Sequence, residues 1–423
     1  MGAQAERAKE LDHDIAMIQK EIAGLPKEET KAAQQKLAAA QKRKADFLKT
    51  IPSTLVSTGG APRMVRILKR GNWLDESGEI VQPGVPAALP PLAPGGSGAR
   101  GEERASDKKR ADRLDLANWL VAAENPLPAR VFVNRLWMLY FGHGIVKTAD
   151  DLGALGAWPT HPELLDWLAL DFQASSGDIK RAVKQMVTSA TYRQSSKGSA
   201  ETRHREPYNQ LLSRQARFRL DAEFVRDNAL AISGLLVPKI GGPSVKPYQP
   251  AGYWRYLNFP TREWANDKGE SQYRRGLYTY WQRTFLQPSL LAFDASTREE
   301  CTVERPRSNT PQQALVLLND PTYVEASRIF AEKIIRASTK TPVRIQTAYR
   351  LSLQRQATAD EVGILTRLYE QHRDQYEANP KEAQAILGVG FTSAAKEIAP
   401  AELAAWTSVA RAILNLHETI TRN

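Results

Sequence analysis

The run RLDLANWLVAAENPLPARVFVNRLWMLYFGHG, Arg113 to Gly144, decides the fold class. It opens as an amphipathic helix and stops at Asn125-Pro126, because proline removes a backbone donor and crowds the preceding turn. Pro128 then starts a second helix, where a missing N–H costs nothing. Val131, Leu136, Trp137 and Tyr140 are its expected buried positions. Gly142 and Gly144 follow, where a helix C-terminus favours glycine. The same pattern recurs downstream. Thr160-His161-Pro162-Glu163 reads as a capping box opening a helix that carries Leu164, Leu165, Trp167, Leu168 and Phe172. Asp178 caps a helix through Ser189, and residues 207–236 are expected to hold a long helix with Leu212, Leu220, Phe224 and Leu230. Asp320-Pro321, Pro342, Thr358-x-x-Glu361, Pro380 and Pro400 each start another. No internal repeat appears, and no strand–helix alternation of a doubly wound sheet. The expected fold is mainly α: a multi-helix globular domain with long irregular segments, a minor β element and an N-terminal helical hairpin.

Outward toward the N-terminus, Leu11, Ile15, Ile18 and Ile22 form a heptad-like seam. Gly24-Leu25-Pro26 breaks that helix, and a second, with the thinner seam Leu37, Ala40 and Phe47, runs to about Lys49. The hairpin is either a projecting coiled-coil arm or docked on its own globule. Residues 62–71 alternate as a short strand ending at a glycine turn. Six prolines and glycines between Pro83 and Pro94 impose an extended chain, and residues 95–109 read as a flexible linker. The expected domains are 1–52, the hairpin; 53–110, the strand and extended linker; and 111–423, the α-rich domain.

Composition narrows the function classes. The chain has 423 residues, 42% hydrophobic and 25% charged, enough for a sizeable core. Its net charge of +11 suits an anionic polysaccharide, an anionic cell surface or nucleic acid, although no nucleic-acid motif accompanies it. A single cysteine, Cys301, excludes an intrachain disulfide, a CxxCH haem attachment and a Cys-rich zinc site. No run of 18 apolar residues occurs. The N-terminal MGAQAERAKELDHD lacks the apolar region of a secretory signal.

The chemistry concentrates in YRRGLYTYWQRTFLQPSLLAFDASTREECTVERPRSNTPQQALVLLNDP, Tyr273 to Pro321, which holds six arginines and six aromatic residues. Arg274, Arg275, Arg283, Arg298 and Arg307 are candidate anion-binding forks, with Trp281 and Asn309 as further binding candidates. Tyr273, Tyr278, Tyr280 and Trp281 suit stacking on sugars or on guanidinium planes. Asp294 and Glu299, with His143 and His161, are the candidate acid–base residues. His143, His161 and Asp166 are the candidate metal ligands, with Asp150 and Asp151 near them in sequence. Cys301, with no histidine close by, is expected to be a buried structural thiol. Asn309-Thr310-Pro311 is expected to cap the helix PQQALVLLN through its side chains. Asp221, Glu223 and Asp227 lie on one predicted helix. If it packs on the arginine stretch, Arg274, Arg275 and Arg283 would pair with them, since buried charges require partners. The GxSxG, HExxH, P-loop and GxGxxG signatures are missing.

Several runs together carry a family likeness: RLDLANWLVAAENPLPARVFVNRLWMLYFGHGIV, DDLGALGAWPTHPELLDWLA, SATYRQSS, RLDAEFVRDNALAISGLL with GGPSV, YRRGLYTYWQRT, FDASTREEC and SNTPQQALVLLNDP. They resemble the C-terminal planctomycete domain of unknown function, DUF1553 of the PSD1 type, found in multidomain planctomycete cytochrome c proteins. The resemblance runs from about Pro62 to the C-terminus, and PRMVRILKRGNW is similar to its opening segment. ERPRSNTPQQAL departs from the family's paired arginines and from its Leu after Pro311. The resemblance implies an exported protein, periplasmic or at the cell surface, with a c-type haem domain upstream or on a partner. This chain is then a C-terminal piece or a separately encoded module, with no cofactor of its own. The implied function is a binding or interaction module that works with a c-type cytochrome domain or protein, in electron transfer or in the breakdown of complex, anionic polysaccharide. The alternatives are a hydrolytic or oxidative carbohydrate-active enzyme with a His/Asp/Arg site, and a nucleic-acid-binding protein.

Overall fold

The computed structural model describes residues 2–24, 26, 30–51, 55, 62–92, 110–256, 263–282 and 285–422. Arg283 and the expected linker 95–109 lie outside them. The chain divides into two compact units, Met1–Gly84 and Val85–Asn423. In the first, helices α1 (Gly2–Ala23) and α2 (Thr30–Lys49) pair as a hairpin. Leu11, Ala33 and Ala40 are buried in its seam, while Ile15, Ile18 and Ile22 are half-buried. Strands β1 (Val65–Arg66) and β2 (Ile80–Val81) form an antiparallel pair, so the expected strand is only two residues long. Arg70, at φ 53°, turns the chain out of the ladder.

The second unit is mainly α and is built on two apolar cores. The smaller joins α4 (Leu127–Phe141), α5 (Pro162–Ala174) and α6 (Ile179–Thr188), after α3 (Arg113–Val121). Val133, Trp137, Phe141, Ile145, Leu165 and Met186 fill it. The short α7 (Ala200–Arg205) leads to β3 (Phe218–Arg219) and α8 (Ala222–Ser233). Of the long helix expected within 207–236, only the 12 residues of α8 are helical. Leu212 and Asn209 take positive φ, and Arg214 donates to the Glu206 and Pro207 carbonyls, so residues 206–217 form a braced turn instead.

The larger core holds α9 (Pro288–Leu291), α10 (Pro311–Asn319), α11 (Pro321–Ala337), α12 (Thr341–Leu353), α13 (Ala359–Ala378), α14 (Pro380–Leu387) and α15 (Pro400–Leu414). Helices α11 and α15 are buried on nearly all sides, as a helix at the centre of a bundle must be. Ala404, Ala405 and Ala410 let neighbours approach closely, and Trp406, fully buried, packs on Tyr369 with ring centroids 4.8 Å apart. The Thr358–Glu361 capping box forms as the sequence predicts. The Thr160–Glu163 box does not. His161 is the N-cap, and the Thr160 hydroxyl turns to the Ile145 carbonyl at 3.3 Å. Thr310 is an N-cap without a side-chain hydrogen bond.

The chain end ties the two cores together. Strand β4 (Thr421–Arg422) pairs antiparallel with β3. Arg422 donates to the Leu139 carbonyl at 3.2 Å, and its guanidinium lies over the Tyr192 ring at 4.6 Å.

Candidate functional site: the cleft at the end of α4

Helix α4 ends in a turn that the sequence specifies atom by atom. Gly142 takes φ 83° and donates to the Met138 carbonyl, a conformation an L side chain resists. The buried Asn134 amide then clamps Val146, donating to its carbonyl at 3.0 Å and accepting its N–H at 2.9 Å. A Cβ at Gly144 would overlap that clamp.

On one side of this turn lies a cleft of about 420 Å³. One wall is α4, with Phe132, Arg135, Leu136, Met138 and Leu139. The other is Asp221 with Thr302, Val303, Glu304, Arg305 and Arg307 of the arginine-rich stretch. That second wall is held by α8. Arg305 donates to Glu223 at 2.6 Å, and Arg298, stacked 4.0 Å from the Trp281 ring, approaches the same carboxylate at 3.9 Å. Arg275 stands 3.8 Å from Asp227, which accepts the Gly276 N–H at 2.7 Å. Burial pushes the Asp227 carboxyl above its ordinary value, and the Gly276 N–H and Arg226 oppose that.

Two guanidinium groups in the cleft are different. Arg307 only leans on Asp221, at 4.0 Å, with its plane over the Phe218 ring. Arg135 is exposed and has no carboxylate partner among the described residues. Both keep free N–H donors facing the cleft. Glu304 also lines it, so three arginines there face two carboxylates.

The other candidates are placed elsewhere. Arg274 is buried and donates to the carbonyls of Lys239, Gly241 and Pro243, with its plane 3.8 Å from the Tyr278 ring. It does not pair with the α8 carboxylates, because the Lys239–Pro243 loop reaches it first. Asp294, at φ 62°, accepts from Arg219 at 2.5 Å and from the Ser308 N–H and hydroxyl. Burial pushes its carboxyl up, but the hydrogen bonds from Arg219 and Ser308 outweigh that and hold it below the ordinary range. Glu299 and Asn309 are exposed in the irregular segment before α10, and so is Cys301, contrary to the buried thiol expected. Trp281 donates to the Thr297 carbonyl, and its face is covered by Arg298 rather than open to a sugar.

His143 is exposed and lines a separate small pocket together with Trp137, Phe141 and Gly144. His161 meets only the Thr160 hydroxyl, at 3.0 Å. Asp166 pairs with Arg130 at 2.7 Å, and Asp151 accepts the Gly153 N–H. Among the described residues no three His, Cys, Asp or Glu side chains converge as metal ligands, so the candidate set His143, His161 and Asp166 is not assembled. Among the described residues His143, His161 and Asp294 do not share one hydrogen-bonded group. Arg135 escaped the sequence reading, which took only the apolar positions of α4. Its signal was the i, i+4, i+7 row Arg135, Leu139, Gly142, a charged and apolar stripe running to the glycine turn.

Residues 112–369 match the family described as PSD1, Protein of unknown function (DUF1553). The match covers more than half of the 423 residues, and the chain belongs to this family. The matched region ends within α13, while α15, the most buried helix, lies beyond it. No curated protein and no solved structure matches the chain. No helix is long and apolar enough to cross a membrane among the described residues.

Proposed function

We propose that the chain is a binding module whose cleft beside α4 takes an anionic polysaccharide, sulfated or carboxylated, in an exported assembly that also carries a c-type cytochrome domain. The observation that carries the ligand class is the pair Arg135 and Arg307. Their planar forks keep free donors, and such forks match sulfate and carboxylate bidentately. The apolar floor of Leu136 and Leu139 suits the C–H faces of sugar rings. The net charge of +11 would speed encounter with such a chain. The cytochrome partner and the exported location rest on the family likeness alone. A binding role is favoured over catalysis because Asp294 is committed to Arg219 and Ser308, away from both histidines.

Calorimetric titration with size-matched sulfated and unsulfated oligosaccharides tests this. Sulfate-dependent binding that weakens with salt is expected. Equal affinity for both, or none for either, contradicts it. Tighter binding of a single-stranded oligonucleotide of equal charge would transfer the cleft to nucleic acid.

A further inference from the structure

We infer that Asp221 is a built-in competitor for Arg307 and so a specificity-determining residue of the cleft. Its carboxylate takes the place beside that guanidinium which a sulfate or carboxylate of a ligand takes on binding. The inference rests on the reading of the cleft as an anion site, and adds to it the residue that makes charge a condition of entry.

The position of Asp221 in the fold is the first observation. It is the N-cap of α8, with extended backbone at φ −65° and ψ 154°. An aspartate there ordinarily accepts a first-turn N–H. Asp112, Asp178 and Asp320 do so at the starts of α3, α6 and α11. Asp221 makes no such bond. Its side chain lines the cleft instead, with one carboxylate oxygen 4.0 Å from Arg307 Nε and no hydrogen bond among the described residues. Arg305 feels the same charge but is already bonded to Glu223 at 2.6 Å.

The second observation is that the guanidinium side of this contact is fixed. Arg307 lies over the Phe218 ring at 4.8 Å. Phe218 is held in turn by the pairing of β3 with β4 and by Gly142, where a Cβ would come within 3.0 Å of the ring. The movable partner is therefore Asp221. An ion pair at this distance, partly exposed and without a hydrogen bond, is weak. An anion that meets the fork bidentately replaces it, since such bonds are shorter and stronger. The displaced carboxylate exchanges one partner for another, because the first-turn N–H groups of α8 lie on its own backbone and favour negative charge. A neutral sugar hydroxyl has no charge with which to displace it. Glu304 lines the same cleft, is exposed and enters no ion pair among the described residues, so it carries equal charge without the contact.

The test is calorimetric titration of the full chain with a sulfated oligosaccharide, comparing wild type, D221S, D221N and E304Q. Serine and asparagine both cap helices, so α8 keeps its start while the charge is lost. D221S and D221N should each bind about three- to fivefold tighter than wild type, and E304Q should change affinity by less than about twofold. In an R307A background, D221S should bring no gain. Equal affinity in wild type and D221S, or an equal gain in E304Q, overturns the inference and leaves the anion-binding reading of the cleft in place. A gain that persists in R307A overturns the assignment to Arg307. Weaker binding by D221S makes Asp221 a ligand contact and also overturns it. No binding by wild type or by any variant removes the reading of the cleft itself, and this inference with it.

Discussion

Two regions of this protein use arginine and carboxylate in opposite ways. On α11, Glu325, Arg328 and Glu332 form a fully enclosed chain. Glu325 accepts from the Tyr248 and Tyr273 hydroxyls at 3.1 and 2.7 Å, and from the Phe391 and Thr392 N–H groups at 2.9 and 2.7 Å. Arg328 lies between Glu325 and Glu332 and donates to the Thr392 carbonyl, while Glu332 also accepts the Ala395 N–H. Beside α4, Arg135 and Arg307 face an open cleft with donors unused. Burial explains the difference. A charge removed from water must be paired and hydrogen-bonded almost completely, whereas a half-exposed one is solvated and remains available. Enclosed arginines held by carboxylates and carbonyls, although Arg328 keeps one Nε–H without a partner, are therefore scaffold here, and exposed ones without a close carboxylate mark the site.

The comparison predicts a graded set of effects. E325A leaves four donors without this acceptor in a closed interior and takes one of the two carboxylates from beside Arg328, so it should lose about 3–5 kcal/mol by urea unfolding. An unchanged midpoint would mean that the chain on α11 is not a closed unit. G390A should cost roughly 1–3 kcal/mol, because Gly390 takes φ 101° and a Cβ there would overlap the Glu325 side chain. R305A breaks the bond to Glu223, yet that guanidinium is partly exposed and screened, so about 1 kcal/mol or less is expected in the same assay.

A pH titration addresses a third, surface type of pairing. Hydrogen bonds from Arg355, opposed by burial, hold the Glu361 carboxyl down to about 2 from 4.5. A depressed carboxyl stabilises the fold above its unfolded pKa. That contribution is lost as pH falls from about 4.5 toward about 2. E361Q should flatten this part of the stability profile, measured by thermal melts from pH 2 to 6. A slope identical to wild type would show that the pair contributes nothing.

How much of this was legible follows from where the partners lie. The helices were readable because their signals are local: proline in the first turn, the Thr358–Glu361 box, glycine after α4. The α8 carboxylates and the arginine-rich stretch were visible as charge, and packing of one on the other brought Arg275, Arg298 and Arg305 onto them. The exact pairing was not readable, since Glu223 and Arg305 are 82 positions apart. Glu325, Arg328 and Glu332 sit at helical spacing, which in sequence reads as a solvated face. Only the enclosing loop that supplies Phe391 and Thr392 makes them core. Cys301 misled for the converse reason. Cysteine is usually buried, but this one is exposed in the irregular segment before α10.

The most direct test of the account is the R135A/R307A double variant, compared with K180A/K184A on α6. Both remove two surface positive charges, and all four positions are half-buried or exposed. Both should keep stability within about 0.5 kcal/mol of wild type. The account predicts that binding of a sulfated oligosaccharide, measured by calorimetry at physiological salt, falls about tenfold or more in R135A/R307A and is nearly unchanged in K180A/K184A. Equal losses in the two variants would reduce the cleft to bulk charge and contradict the account.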